Sequence, residues 1–162
     1  MILELSIILF VIIFWFFYTK FFGAEYQAVP IPVLNKMIEF AGLKKQDVVY
    51  DLGCGNGKIL KKAAEFCSKA IGIEIDPLRV WIAKFKTRKM NNIQVIGGNL
   101  FNQNLRNANV VFIFLRQKTN DRLLEKFGKE LKKGTKIVSH YWTLDMKPCS
   151  IDKKLRVYSY KI

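Results

Sequence analysis

Eight consecutive residues, Tyr50-Asp51-Leu52-Gly53-Cys54-Gly55-Asn56-Gly57, carry the strongest chemical signal in the chain. Glycines at alternate positions let a backbone turn sharply and approach a ligand closely. The apolar run Asp47 to Leu52 (DVVYDL) precedes them and a helical pattern, Gly57 to Cys67, follows. The loop therefore falls at the carboxyl end of a strand, where doubly wound sheets bind their ligands. Its spacing is GxGxG rather than the GxGxxG that seats a pyrophosphate, and Asp51 stands two residues before the first glycine. A carboxylate there repels phosphates and attracts a cation, so the loop predicts a positively charged, phosphate-free ligand. Glu74 follows 21 residues after Gly53, where an acidic side chain accepts hydrogen bonds from ribose hydroxyls. Further on, Gly97-Gly98-Asn99-Leu100-Phe101 offers Asn99 to a base edge and Leu100 or Phe101 to its face. A nucleoside carrying a sulfonium and an amino acid instead of phosphates is S-adenosylmethionine, the expected cofactor.

Positioning these residues requires strands and helices in alternation, and the sequence supplies them. Pro30 and Pro32 break the chain before a short amphipathic helix, Val33 to Phe40, stopped by Gly42. Strands are predicted at Asp47 to Leu52, Ala70 to Ile75, Ile93 to Ile96, Asn109 to Leu115, Lys136 to His140 and Leu155 to Tyr160. Helices are predicted at Gly57 to Cys67, at Pro77 to Met90 with Pro77 at its start, and at Lys118 to Lys132. Near-continuous apolar strands separated by helices mean a mostly parallel sheet covered on both faces, the doubly wound, Rossmann-like α/β class. Only one clear terminal strand follows an irregular stretch, which predicts a sheet shortened at its C-terminus, with Tyr141 to Thr143 as a partial substitute for the missing partner. Cys54, Cys67 and Cys149 show no CxxC spacing and no histidine cluster, arguing against zinc, a redox motif or a disulfide framework.

In order and spacing, DLGCGNG, IGIEID, GNLF and NVVFIFL resemble the motifs of the class I (seven-β-strand) S-adenosylmethionine-dependent methyltransferases, over about Val48 to His140. More narrowly, the apolar N-terminus, AEYQAVPIP, VVYDLGCGNGKIL and GTKIVSH resemble the small protein-lysine methyltransferases, soluble or membrane-anchored. Those include mitochondrial enzymes that modify an ATP-synthase rotor subunit and the adenine nucleotide carrier. The resemblance implies that Asp51 and the backbone at Gly53 and Gly55 hold the methionine part of the cofactor. It further implies that Glu74 holds the ribose, and Asn99 and Leu100 the adenine. Asn99 stands where the family more often has Asp. Arg116 and its neighbours (FLRQ) replace the NPPY or DPPY of DNA-base and glutamine methyltransferases, which argues against those substrates.

Methyl transfer from a sulfonium is an in-line displacement needing orientation and a dry site more than a base. A lysine acceptor must arrive unprotonated, which a desolvated channel favours. Tyr26, Phe114, His140 and Tyr141 are the channel candidates, and no catalytic residue is assigned.

The full chain of 162 residues has 27 Lys or Arg, 13 Asp or Glu and a net charge of +14. Its mean hydropathy is nevertheless +0.10. The conflict divides at Lys20, since the segment from there to Ile162 holds every basic group and all acids but Glu4, a net +15. Ile2 to Tyr18 (ILELSIILFVIIFWFFY) is apolar on all helical faces and long enough, at about 1.5 Å per residue, to approach the thickness of a bilayer core. Residues 1–22 are thus expected to form an uncleaved transmembrane anchor and 23–162 the methyltransferase domain. The positive-inside rule then places that domain in the cytoplasm, on a cell membrane crossed once. The expected partners are a protein lysine, including one on a membrane protein, and an anionic membrane surface that meets the basic helix carrying Arg79, Lys84, Lys86, Arg88 and Lys89. Nucleic acid is not favoured. The alternatives are an S-adenosylmethionine-binding membrane adaptor without catalysis, or a methyltransferase acting on a lipid, a quinone or RNA.

Overall fold

The computed structural model describes residues 28–162 and, within the N-terminal segment, 4–7, 9–11 and 13–14. Seven strands form one sheet in the order β3-β2-β1-β4-β5-β7-β6. They are β1 Val48–Leu52, β2 Lys69–Glu74, β3 Ile93–Gly97, β4 Val110–Ile113, β5 Lys136–His140, β6 Ser150–Asp152 and β7 Val157–Lys161. β1 to β5 run parallel, and β7 inserts antiparallel between β5 and β6. The helices are α1 Ile31–Ala41, α2 Lys58–Ala63, α3 Pro77–Thr87 and α4 Gln117–Glu130. The strand order reverses at β1, which pairs with β2 on one side and β4 on the other. A crevice opens there beyond the strand ends, and the glycine loop lies at it.

Alternation along the strands divides the core between the two faces. Val49, Val110, Phe112 and Val138 pack with Val33, Leu34 and Met37 of α1 and Ile59, Leu60 and Ala63 of α2. Tyr50, Leu52, Val111, Ile113 and Ile137 face the other way, against Leu123 and Phe127 of α4. Successive side chains of a strand point to opposite faces, so strands buried on both sides have no polar phase. α1 begins at Ile31, two residues before the sequence suggests, because Pro32 falls in its first turn, where no amide partner is needed. Gly42 closes it in the left-handed region, φ 53°, as expected.

Gly72 on β2 marks the tightest approach. A Cβ there would lie 2.3 Å from Leu60 Cδ1, 2.7 Å from Cys54 Sγ and 2.9 Å from Cys54 Cβ. Gly72→Ala is expected to lower unfolding stability by about 3 kcal/mol in urea titrations, the upper range for overpacking. Because Cys54 belongs to the glycine loop, cofactor affinity should fall with it.

One expectation needs revision. The sheet is not shortened: β6 supplies the outer strand of a C-terminal hairpin, pairing Ser150 with Ser159 and Asp152 with Val157. Tyr141 to Thr143 is not its substitute but part of the loop leading to it. β6 has three residues beside Pro148, too short for a periodic signal. As for the anchor, no helix among the described residues is long and apolar enough to cross a membrane. The described parts of the segment are helical, and Leu5, Ile7, Leu9, Phe10, Val11, Ile13 and Phe14 are exposed. The rest of the expected span lies outside the described residues.

Candidate active site

A cavity of about 640 Å³ opens at the carboxyl ends of β1, β2 and β4, lined by Asp51, Gly53 to Asn56, Glu74, Asn99 and Leu100. It continues to Phe114, Arg116, Arg122, Tyr141 and Trp142. All six residues expected to hold the cofactor therefore meet in one place. Of the channel candidates, Phe114 and Tyr141 line the cavity and Tyr26 lies outside the described residues.

Asp51 is 2% exposed and its Oδ2 has no hydrogen-bond partner. Burial, reinforced by the Glu74 carboxylate, pushes its carboxyl up to about 8. A buried acid with an unused oxygen, facing a cavity, suits a cationic group. Burial, then Asp51 and Glu74, also push the Cys54 thiol upward, so it stays protonated and is no nucleophile.

The loop geometry follows from its glycines. Gly53 and Gly55 adopt φ of 81° and 53°, a region costly to any residue with a Cβ. A Cβ on Gly53 would sit 2.7 Å from Leu115 Cδ2, at the cavity wall. The amides of Gly53 and Cys54 both donate to the Ile73 carbonyl, at 2.8 and 3.0 Å, tying the loop to β2. Glu74 completes the tie. Its Oε2 accepts from Gly55 N and its Oε1 from Ile75 N and Asp76 N, each at 2.9 Å. One carboxylate thus joins the glycine loop to the start of α3, a structural duty that sequence spacing does not show. A carboxylate has about four lone-pair positions, so one is left for a hydroxyl. Asn99 caps the short turn Leu100–Asn102, its Oδ1 accepting from Phe101 N at 2.9 Å. Asn99 also lines the cavity.

The far half of the cavity is aromatic. Tyr141 takes φ 69°, an unusual conformation for a bulky residue, held by its amide donating to the Arg156 carbonyl at 2.8 Å. The Arg156 guanidinium lies 4.5 Å from its ring centroid and Trp142 meets it edge-on at 5.0 Å. Gln117 of α4 donates to the Thr143 carbonyl, Leu144 N to the Tyr160 hydroxyl and Ser139 Oγ to the Trp142 carbonyl, so this loop is built rather than loose. His140 lies buried behind it, outside the cavity lining, its ring 4.5 Å from Phe114 and its Nδ1 3.2 Å from the Arg156 carbonyl. Burial lowers its pKa, keeping it neutral, and the Arg156 bond assigns the proton to Nδ1. Sequence reasoning missed Trp142 and Arg122, which carry no motif, and the strap at 28–30. There Lys58 Nζ donates to the Val29 carbonyl at 2.5 Å, and Ala28 and Val29 join the cavity lining.

Sheet order, glycine loop and two acidic strand ends together define a class I S-adenosylmethionine-dependent methyltransferase. Residues 51–150, more than half of the chain, match the ANTKMT methyltransferase domain, and the chain belongs to that family. Over 120 residues it is 38% identical to a protein-lysine N-methyltransferase of Saccharolobus islandicus, covering 71% of this chain and 74% of that one. Among solved structures it is similar to an RNA methyltransferase from Salinibacter ruber in complex with S-adenosyl-L-homocysteine, with TM-score 0.80 and 31% identity over 84% of this chain and 94% of that one. A probable ribosomal RNA small subunit methyltransferase A of Methanosarcina acetivorans is 31% identical over 75 residues, only 28% of that protein. The enzyme's cofactor is S-adenosylmethionine, and the buried Asp51 oxygen and glycine cradle fit its positive charge.

Proposed function

We propose that this methyltransferase acts on protein lysine, held to a membrane by residues 1–22 with its catalytic domain in the cytoplasm. The observation that carries the acceptor is the continuity of the cofactor half of the cavity with the wall of Phe114, Tyr141 and Trp142. The resemblance to a protein-lysine N-methyltransferase supports it. When bound, S-adenosylmethionine supplies a methyl group already activated on a sulfonium. Asp51 would hold the cationic methionine part, with Gly53 and Gly55 allowing close approach. Glu74 would hold the ribose, and Asn99 and Leu100 the adenine. Phe114, Tyr141 and Trp142 exclude water and align the incoming amine. Their apolar surfaces, with the positive charges of Arg116 and Arg122, disfavour an ammonium, so lysine releases its proton to solvent on entry. No basic side chain on the protein is required for that release.

RNA is the second reading, favoured by the similarity to the Salinibacter ruber RNA methyltransferase and by Arg116 and Arg122 in the cavity. Transfer of tritiated methyl on native membranes separates the two. Label removed by protease and found on lysine after hydrolysis is expected, whereas label removed only by ribonuclease would establish RNA. The non-catalytic adaptor has no support beside family membership and a complete sheet. For the tether, the apolar run and the exposed side chains of Leu5, Ile7, Leu9, Phe10, Val11, Ile13 and Phe14 are the support. Full-length protein should stay with membranes through carbonate extraction and leave them only in detergent.

A further inference from the structure

We propose that α3 docks the domain onto an anionic lipid surface through a ridge of Leu78, Trp81 and Phe85. This deepens the tether reading and is independent of the methyl acceptor. These side chains are 51%, 64% and 53% exposed, a large apolar expanse for a surface helix. At about 100° per residue they fall within an arc of about 60°. The buried Ala83 and Thr87, which pack the helix onto the domain, lie on the opposite side. The helix thus has two apolar faces, and the sheet explains only one.

The ridge is ordered and flanked by charge of one sign. Trp81 and Phe85 stack with centroids 5.8 Å apart. Arg88 lies over the other side of the pair, its guanidinium carbon 3.9 Å from the Phe85 centroid and its Nη1 donating to the Phe85 carbonyl. Arg79, ion-paired with Asp76 at 3.6 Å, and Lys86 fall to one side of the ridge, Lys84 and Arg88 to the other, and Lys89 follows. From Pro77 to Asn91 there is no acidic residue. An apolar strip containing Trp between two rows of cations is the pattern of a helix lying in the headgroup layer of an anionic membrane. The charge excludes an equally basic second copy. For stacking with nucleic-acid bases the ridge offers Trp81 alone, since Phe85 has Trp81 and Arg88 on it. Ile75 and Arg79 border the cavity, so docking on this ridge brings the active-site mouth to the lipid surface, beside an acceptor on a membrane protein.

Trp81 reports the contact directly. In the full chain with Trp15→Phe and Trp142→Phe, Trp81 is the only tryptophan. With phosphatidylglycerol vesicles its emission should shift to the blue and acrylamide quenching fall about threefold, with brominated lipid quenching it instead. Phosphatidylcholine alone should do much less, and Lys84, Lys86 and Lys89 changed together to Gln should remove the difference. Unchanged acrylamide quenching in phosphatidylglycerol overturns the proposal. So does a shift that needs only RNA or only higher protein concentration. Should that variant not fold, hydroxyl-radical footprinting of the unaltered chain reads the same surface. Protection of Trp81 and Phe85 by phosphatidylglycerol vesicles supports docking, and full oxidation overturns it. Carbonate extraction of the same vesicles reports on the N-terminal tether alone, so the two readings can fail separately.

Discussion

Asp51→Asn is expected to weaken S-adenosylmethionine binding about a hundredfold, the scale of losing a buried charge-assisted contact, while leaving the fold intact. The pH dependence of the unaltered enzyme gives the same residue a second signature. Burial and Glu74 raise the Asp51 carboxyl from its ordinary 3.8 to about 8, so below pH 8 the ligand-free site is protonated. A bound cation favours the carboxylate, so binding releases a proton and affinity rises with pH by up to about tenfold per unit, levelling above pH 8. Titration calorimetry in buffers of different ionisation enthalpy measures that proton. Constant affinity from pH 6 to 9 would exclude Asp51 as the cation partner. Stability of the ligand-free enzyme runs the other way. Between about pH 4 and 8 the folded protein keeps a proton that the unfolded chain has lost, so the contribution of Asp51 is full below that window and lost through it. Asp51→Asn should flatten this slope and be the more stable protein at pH 9, in thermal melts without cofactor. Loss of binding with a gain of stability would mark a residue kept for function.

Glu74→Ala should cost both. It leaves the buried amides of Gly55 and Asp76 and the half-buried amide of Ile75 without their acceptor, an expected loss of about 4 kcal/mol with cofactor binding abolished. Glu74→Gln separates the two duties. Its single oxygen can serve Ile75 and Asp76, but its amino group then opposes the Gly55 amide, so about half of the stability should return while the loop stays displaced. It should also lower the Asp51 pKa, since the neighbouring negative charge is one cause of its elevation. Urea denaturation alongside calorimetry tests this, and full affinity in Glu74→Gln would show that the loop does not depend on the carboxylate.

Much of the cofactor half was legible in the chain because its signals are local. A buried parallel strand needs a near-continuous apolar run; NVVFIFL has one, and DVVYDL has one interrupted only by the functional Asp51. A backbone that must turn at φ of 81° and 53° calls for glycine, so Gly53 and Gly55 declare themselves. Charge and apolar residues likewise separate at Lys20 without reference to a fold.

What tertiary structure decided is where side chains meet across long sequence distances. β6 is too short to show a period, and only its pairing with β7 makes it a strand. Tyr141 and Trp142 belong to the site because β7 and α4 hold their loop over the cavity, a consequence of contacts with Arg156, Tyr160 and Gln117. His140, one residue away, turns behind that wall because its ring pairs with the Arg156 carbonyl. Glu74 was readable as an acid at a strand end but not as the tie among three backbone amides, since hydrogen-bond partners depend on which loops fold together. Composition and periodicity determine which residues a backbone must bury or bend. Which groups then face one another, with which charges unpaired, is settled only when the sheet brings distant segments within a few ångströms.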